Sequence, residues 1–567
     1  MSRALTAAAA ATAGCLLALS SLRAQETPIL AAMADELTRS MSALRLKDQP
    51  APYFIEYEVE DRVATRVTAR HGALVEDLNG RSRTLRVGVR VGDYGFDSSL
   101  FIAPAGGGVV ALQADGSISA PLDDDYDAMR RQIWLATDTA YKRAVSIFAR
   151  KKAAFQNRTE EESIPDFSRE NSEQTVLDRV PLTLVNRDWP QRAKQISAVF
   201  AGIREIEQSD VSVADTRGTR YYLNSEGFKV VAPITIASLR VAADAQAADG
   251  MALRDSFTLV EKNLRDLPPV SEIVTRAKKL AERLKAQRTA PVGPEYTGPV
   301  LIEGQAAAEL VAQSLVPAML ARRPAESAGR GGRGGAGGQI TPFLRRIGLR
   351  VLTDSFSASD TPSLREFGGR PVPGSYVVDD YGIRAKDVTL VEKGRLVTLV
   401  TGRTPVRGLL RSSGHTRGGD VQPGVFQMAS ADAVSAAELK RRYIDLLETQ
   451  DKAFGYIVRG VAAAGEAPGG GPGAGPMLFD VVKVTRDGEE QVVRGLRLGG
   501  VAPAAFRDLL DASRERTLYS LRGTNSDAVS VIVPNLLFEE LEIQRTREIT
   551  QPPPVVPSPL SVSSSGR

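Results

Sequence analysis

Two stretches near the N-terminus constrain this chain most. Tyr53, Ile55, Tyr57 and Val59 alternate with Phe54, Glu56, Glu58 and Glu60, and Leu85, Val87, Val89 and Val91 alternate with Arg86, Gly88 and Arg90. Successive side chains on a strand point to opposite faces, so a period of two with one charged side predicts half-buried antiparallel strands. His71-Gly72 and Asn79-Gly80 supply turn signals between them. Elsewhere the period changes. In residues 127–154, Ile133, Ala136, Ala140, Ala144, Ile147 and Phe148 fall near one helical face, and residues 191–208, 271–287, 305–320 and 436–449 read as further helices. Pro317 is expected to kink or end the one at 305–320. Strands and turns return over 211–259 and dominate the chain from about 340 to 545. The fold class is therefore α+β.

Length adds that this is a multi-domain chain, since 567 residues exceed one ordinary domain. The expected division is residues 25–130, a middle helix-strand domain at 131–290, and a strand-rich C-terminal domain at 291–548. A Pro/Gly-containing stretch at 291–299 marks the main boundary. Gly-rich inserts are expected at 328–339 and 465–476, and a disordered Pro/Ser tail at 549–567.

The N-terminus reads as a secretory signal over 1–24. Arg3 is followed by an uncharged stretch, 4–22, and then by Ala24 and Gln25. The chain is expected to be exported, to the periplasm. An uncleaved membrane anchor is one alternative. A lipid on Cys15 is another, and the apolar Leu16, Leu17 and Leu19 beyond it argue against that. Cys15 is the only cysteine, so a processed chain would have no disulfide, thiolate nucleophile or Cys metal ligand. Basic and acidic residues number 72 and 68, a balance that does not point to nucleic acid as a partner.

A zinc peptidase needs imidazoles or thiolates converging on one metal, plus a carboxylate base. The two histidines, His71 and His415, lie far apart and neither sits in a helical ligand pattern. The acidic run Asp123-Asp124-Asp125-Tyr126-Asp127 reads as a charged helix start rather than a calcium loop. His415 follows Ser412-Ser413-Gly414 and precedes Thr416-Arg417-Gly418-Gly419, a polar, glycine-rich loop of the kind that binds ligands. Ser413, His415 and Arg417 are the candidate substrate-binding residues, with a Ser–His nucleophile pair as an alternative use of the same loop. The Arg/Gly run near Gly331 lacks the ending of a phosphate loop and reads as a flexible insert.

Several segments, in order, resemble the TldD/PmbA family of metallopeptidases. They are Arg66-Val67-Thr68 to Asp77, the run from Arg83 to Gly92, Asn224-Ser225-Glu226-Gly227, and Val378-Asp379-Asp380-Tyr381-Gly382-Ile383 continuing to Leu396. The resemblance implies a TldD/PmbA-like N-terminal α/β domain and C-terminal domain. In metal-dependent members a helix early in the C-terminal domain carries HExxxH and binds zinc. Aligned on Ala306-Ala307, those slots hold Ala312, Gln313 and Pro317. A methyl group, an amide and a pyrrolidine ring cannot grip a divalent ion, so the expectation is a chain with no metal site and no catalytic residues in the family's positions.

The resemblance further implies a dimer enclosing a chamber for unfolded peptide. The expected partner is thus a peptide or unfolded polypeptide, with a second copy or a TldD-like paralogue as the other subunit. The leading expectation is an exported, catalytically degenerate homologue that binds peptide. An active peptidase working around His415 and a structural envelope protein are the alternatives.

Overall fold

The structure is a computed structural model, and it describes residues 27–102, 117–156, 164–183, 188–327, 341–462, 475–523 and 527–546. The export segment expected at 1–24, the insert at 328–339, nearly all of that at 465–476 and the tail at 549–567 lie outside the described residues.

The alternating segments form two long strands, β1 (Pro52–Arg70) and β2 (Ala73–Val91), antiparallel with Glu58 opposite Arg86. Their turn is His71-Gly72, where φ is 45° and 83°, the left-handed pair that a two-residue hairpin of this twist requires. The second expected turn is absent. β2 runs straight through Asn79-Gly80, with Asn79 opposite Thr65 and Gly80 opposite Ala64. An unbroken partner strand overrides the local turn preference.

β3 (Ile206–Asn224), β4 (Lys229–Gln246) and β5 (Ala252–Glu261) extend the same sheet in the order β2-β1-β3-β4-β5. The expected boundary at residue 130 is therefore corrected. β1 pairs with β3 from Glu56 opposite Asn224 to Ala69 opposite Val211, so the two would-be domains share one sheet. Separating them would bare a long row of backbone donors and acceptors.

The odd-numbered side of β1 carries Ile55, Tyr57 and Val59 into a core with α1 (Pro28–Ala43) and α2 (Tyr126–Phe155). Asp125 caps α2, its side chain accepting from the Ala128 N–H at 2.8 Å, which accounts for the acidic run there. At the far end of the sheet α3 (Trp189–Ser197) and α4 (Val270–Thr289) bury Ala193, Ile196, Ile273 and Leu280 against Val211, Leu239 and Val241. The helix expected over 191–208 stops at Ser197. A 3₁₀ turn and successive tight turns at Ala198, Phe200 and Ile203 follow, and Ile206 opens β3.

The second unit is built on an eleven-stranded sheet. Its hub is β12 (Ala528–Arg545), which pairs with β6 (Tyr296–Ile302), β8 (Val425–Ser430) and β11 (Leu509–Arg522). β7 (Phe356–Asp360) lies beside β8, while β9 (Phe454–Val461) and β10 (Met477–Thr485) lie beyond β6. α5 (Gly304–Leu310) follows β6 directly, and α6 (Ala436–Thr449) packs Leu439, Tyr443 and Leu447 on Leu301, Ile457 and Leu537. The helix expected over 305–320 is a composite: α5, a π-turn at Val311–Leu315, then a 3₁₀ turn at Val316–Met319. Pro317 has no N–H to continue an α-ladder and its ring crowds the carbonyl four residues back, so the turns change pitch around it.

Candidate functional site

The even-numbered side of β1 holds Glu56, Glu58 and Glu60, and this charged face does not meet open solvent. The second unit covers it, leaving a cavity of about 640 Å³ between the two. From the first unit Glu58, Glu60, Arg86, Arg220 and Lys262 line it; from the second, Asp380, Arg417 and Asp527 are among its walls.

Three loops that stood out in the sequence hold the units together around it. In Asn224-Ser225-Glu226-Gly227, the Asn224 side-chain oxygen accepts from the N–H groups of Glu226 and Phe228 at 3.0 and 3.1 Å, fixing the turn. Glu226 then accepts from Tyr94 Oη at 2.7 Å and from both terminal nitrogens of Arg403. In the Asp379-Asp380-Tyr381-Gly382 loop, Asp379 accepts from the N–H groups of Tyr381, Ile383 and Thr416. Asp380 takes the Arg220 guanidinium on one oxygen and the Gly419 N–H on the other. The third loop, 413–419, ends in a small hairpin whose strands are Thr416–Arg417 and Asp420–Val421.

Electrostatics divide the cavity into two ends. At the β1 end, burial and the neighbouring Glu58 push the Glu60 carboxyl up to about 7. Burial also acts on Glu58, but Arg86 and Arg220 outweigh it and hold that carboxyl below its ordinary range. Burial and Asp380 push Asp379 up to about 7. At the β5 end, burial and the nearby cations Arg365 and Arg417 bring the Lys262 ammonium down to about 8. Its Nζ donates to the Ser375 carbonyl at 2.9 Å and to Ser375 Oγ at 2.8 Å, both uncharged. Among the described residues no carboxylate bonds to it, Asp266 acting only through space, and a desolvated ammonium so placed gains from an incoming anion.

Of the three candidate binding residues, Arg417 alone lines this cavity. Its guanidinium donates to the carbonyls of Pro423 and Ala528 at 3.1 and 2.9 Å, lies 3.3 Å from Asp527 and covers the Tyr376 ring at 4.5 Å. His415 is fully buried. Its Nε2 meets Asp360 Oδ2 at 2.8 Å and its Nδ1 lies 2.9 Å from Ser413 Oγ. Ser, His and Asp thus form a chain. The Ser413 hydroxyl, however, also accepts from the Thr401 N–H at 2.9 Å and contacts the Thr401 carbonyl at 3.0 Å, which ties it to the neighbouring strand. This network braces the loop that carries Arg417.

The slots carried over from the family lie on the composite helix, away from these loops. Gln313 Nε2 donates to Glu309 Oε2 at 2.9 Å and to the Ala462 carbonyl at 3.1 Å, and Tyr519 Oη donates to Glu309 Oε1 at 2.9 Å. Glu309 is buried and already engaged, and Ala312 and Pro317 bring no donor atom. Zinc does not fit these residues, because a site needs three or four converging N, S or O ligands.

None of Glu58, Glu60, Arg220, Lys262 and Asp380 was a candidate site residue from the sequence: Glu58 and Glu60 stood there only as the charged side of a strand, and Asp380 only as part of the family-like run. The signal was present in the charged side of β1, which that reading assigns to solvent. Arg220 and Lys262 sit on strands whose order in the sheet no local pattern gives.

Residues 295–545 match the family model described as the PmbA/TldA metallopeptidase C-terminal domain. No curated protein matches. Among solved structures, TldE from Thermococcus kodakarensis superposes with a TM-score of 0.56 at 14% identity, covering 90% of this chain and 99% of that one. A Thermotoga maritima protein described as a candidate modulator of a DNA gyrase gives 0.55 at 15% identity, covering 87% and 96%. A Bacteroides thetaiotaomicron protein described similarly gives 0.53 at 14%, covering 90% and 98%. At such identities the likeness concerns the fold.

Proposed function

We propose that this chain, which belongs to the TldD/PmbA family, is a catalytically degenerate member that binds peptide without cutting it. The observation that carries the reading is the state of the composite helix. The position for a metal-activating carboxylate is an amide, Gln313, committed to Glu309 and to Ala462, and the flanking positions are a methyl group and a proline ring. A peptidase of the family's kind would need imidazole nitrogens there to hold a metal and a carboxylate to activate water.

The charged cavity between the two units supports a binding role. Preformed cavities of about 300–1,000 Å³ with a few fixed polar groups are typical ligand sites. Assembly with a second copy or with a TldD-like paralogue bearing HExxxH is part of the proposal and rests on the family likeness. So is export, which rests on Arg3 and the uncharged stretch behind it. Among the described residues no helix is long and apolar enough to cross a membrane.

The test is metal content and proteolysis on the same preparation. Full chain purified from zinc-supplemented medium is expected to carry far less than one zinc per chain and to leave an unfolded reporter polypeptide intact while retaining it on a column. Stoichiometric zinc with chelator-sensitive cleavage would overturn the reading.

A further inference from the structure

The outer edge of β4 is paired in two places and open between them. Gln174–Val176 lies parallel against Lys229 to Val231, with the Leu177 N–H donating to the Val231 carbonyl at 2.8 Å. β5 takes over from Ala237, which faces Glu261. Among the described residues no strand pairs with this edge at 232–236, and Ala232, Pro233, Ile234 and Thr235 of that stretch line the cavity. Pro233 lies within it, a residue that sheets confine to their edges. Five residues of strand span roughly 17 Å, room for a peptide of about four residues.

The opening has a chemical polarity. At its β5 end comes Lys262, directly after Glu261, the residue that faces Ala237. Two of the three Lys262 N–H groups go to Ser375, and among the described residues nothing takes the third. Arg365 also lines the cavity here, and it is an exposed cation. At the other end lies Leu177, apolar and uncharged.

Resting on the peptide-binding reading above, we propose that the cavity takes a short extended peptide as an added strand on the open edge of β4, its free C-terminal carboxylate held by Lys262 and Arg365. The strand runs parallel to β4, in line with Gln174–Val176, so that its C-terminus arrives at the cationic end. Backbone pairing supplies affinity without regard to sequence, and the two cations select chains with a free end. The ligand class is thus the short peptide product of an endopeptidase rather than the interior of an intact polypeptide.

Calorimetry on the full chain, with tetra-alanine as free acid, as C-terminal amide and with its central amides N-methylated, tests this. The free acid is expected to bind about tenfold more tightly than the amide, and N-methylation to abolish binding. Arg365→Ala, at an exposed position, should shrink the difference between acid and amide to less than about threefold. Hydrogen exchange should show new protection at Thr235 when the free acid is bound, because Lys229 and Val231 turn their backbone groups to this edge, Thr235 follows them in alternation and Pro233 has no N–H. Equal affinities for acid and amide, unchanged exchange at Thr235, or binding that ignores N-methylation each overturn the proposal. A long unfolded peptide with an amidated end, measured alongside, separates the two readings. If it binds while tetra-alanine shows no end preference, peptide binding stands and this inference falls; if neither it nor tetra-alanine in any form binds, the broader reading falls too.

Discussion

Arg403 and Glu226, 177 residues apart, form a two-pronged ion pair across the boundary between the units, with Nη1 to Oε2 at 2.6 Å and Nη2 to Oε1 at 2.9 Å. Arg403 is 1% exposed and its guanidinium carbon lies over the Phe167 ring, 3.8 Å from the centre. Removing one partner of such a pair leaves a buried charge, at a cost of about 3–5 kcal/mol. Glu226→Ala is expected to lower the unfolding free energy by that order, read as a lower urea midpoint. Tyr94→Phe removes only a neutral donor to the same carboxylate and should cost about 1 kcal/mol. Equilibrium unfolding followed by tryptophan fluorescence and by circular dichroism would check both. Equal small losses for the two variants would mean the pair does not bind the units together.

Gly414 has φ of +79°, and a Cβ there would come 2.4 Å from the Arg384 carbonyl oxygen. Backbone cannot yield as a flexible side-chain tip can. Gly414→Ala therefore combines left-handed strain with a clash, and is expected to destabilise the chain by about 2–3 kcal/mol. The displaced loop carries His415 and Arg417, so ligand affinity at the cavity should fall with it. Ser413→Ala keeps the backbone and should leave affinity within about twofold, as befits a hydroxyl that braces a loop. Binding titrations on the two variants decide this.

Glu60 carries a pH signature. Its carboxyl is pushed up to about 7 in the folded chain by burial and by Glu58, while in the unfolded chain it titrates near 4.3. Between those values the folded state holds a proton that the unfolded state has released. Stability contributed by this group is thus full below about pH 4.3 and declines as pH rises through 7. Glu60→Gln cannot titrate, and its stability should fall less between pH 5 and 7.5 than that of the parent. Urea midpoints at the two pH values measure the difference, and parallel curves would show that Glu60 ionises normally.

Much of this fold was legible because local pattern and tertiary environment agree. The helix at Ala436–Thr449 and the strand alternation around Tyr57 follow directly from which residues face a core. Asn79-Gly80 misleads because its partner, β1, is long enough to hold it extended. The boundary at 130 misleads for a related reason: β1 finds its second neighbour, β3, some 150 residues later, and no periodicity encodes that pairing. The cavity was hidden by the same distance. Glu58 and Glu60 look like a solvated face until a second unit is laid over them, and Lys262 joins them only through the order of strands in the sheet. Arg417 was within reach because its glycine-flanked loop is unusual on its own.

The composite helix offers the sharpest test of the degenerate reading. Gln313→Glu restores a carboxylate where active relatives would carry one, yet the new group would face Glu309, whose Oε2 lies 2.9 Å from the present amide nitrogen. Two carboxylates that close cannot both ionise, so one retains a proton and its folded-state pKa rises above the unfolded value. The penalty should therefore be small near pH 5 and grow as pH rises past 7, the sense expected when the folded state binds the extra proton. Zinc affinity should not improve, because Ala312 and Pro317 still contribute no ligand atom. Urea unfolding of Gln313→Glu at pH 5 and pH 8, with equilibrium dialysis against zinc, reads both effects. A variant as stable as the parent at pH 8 that also takes up one zinc per chain would mean that other residues of this chain converge on the slot, and the degenerate assignment would fail.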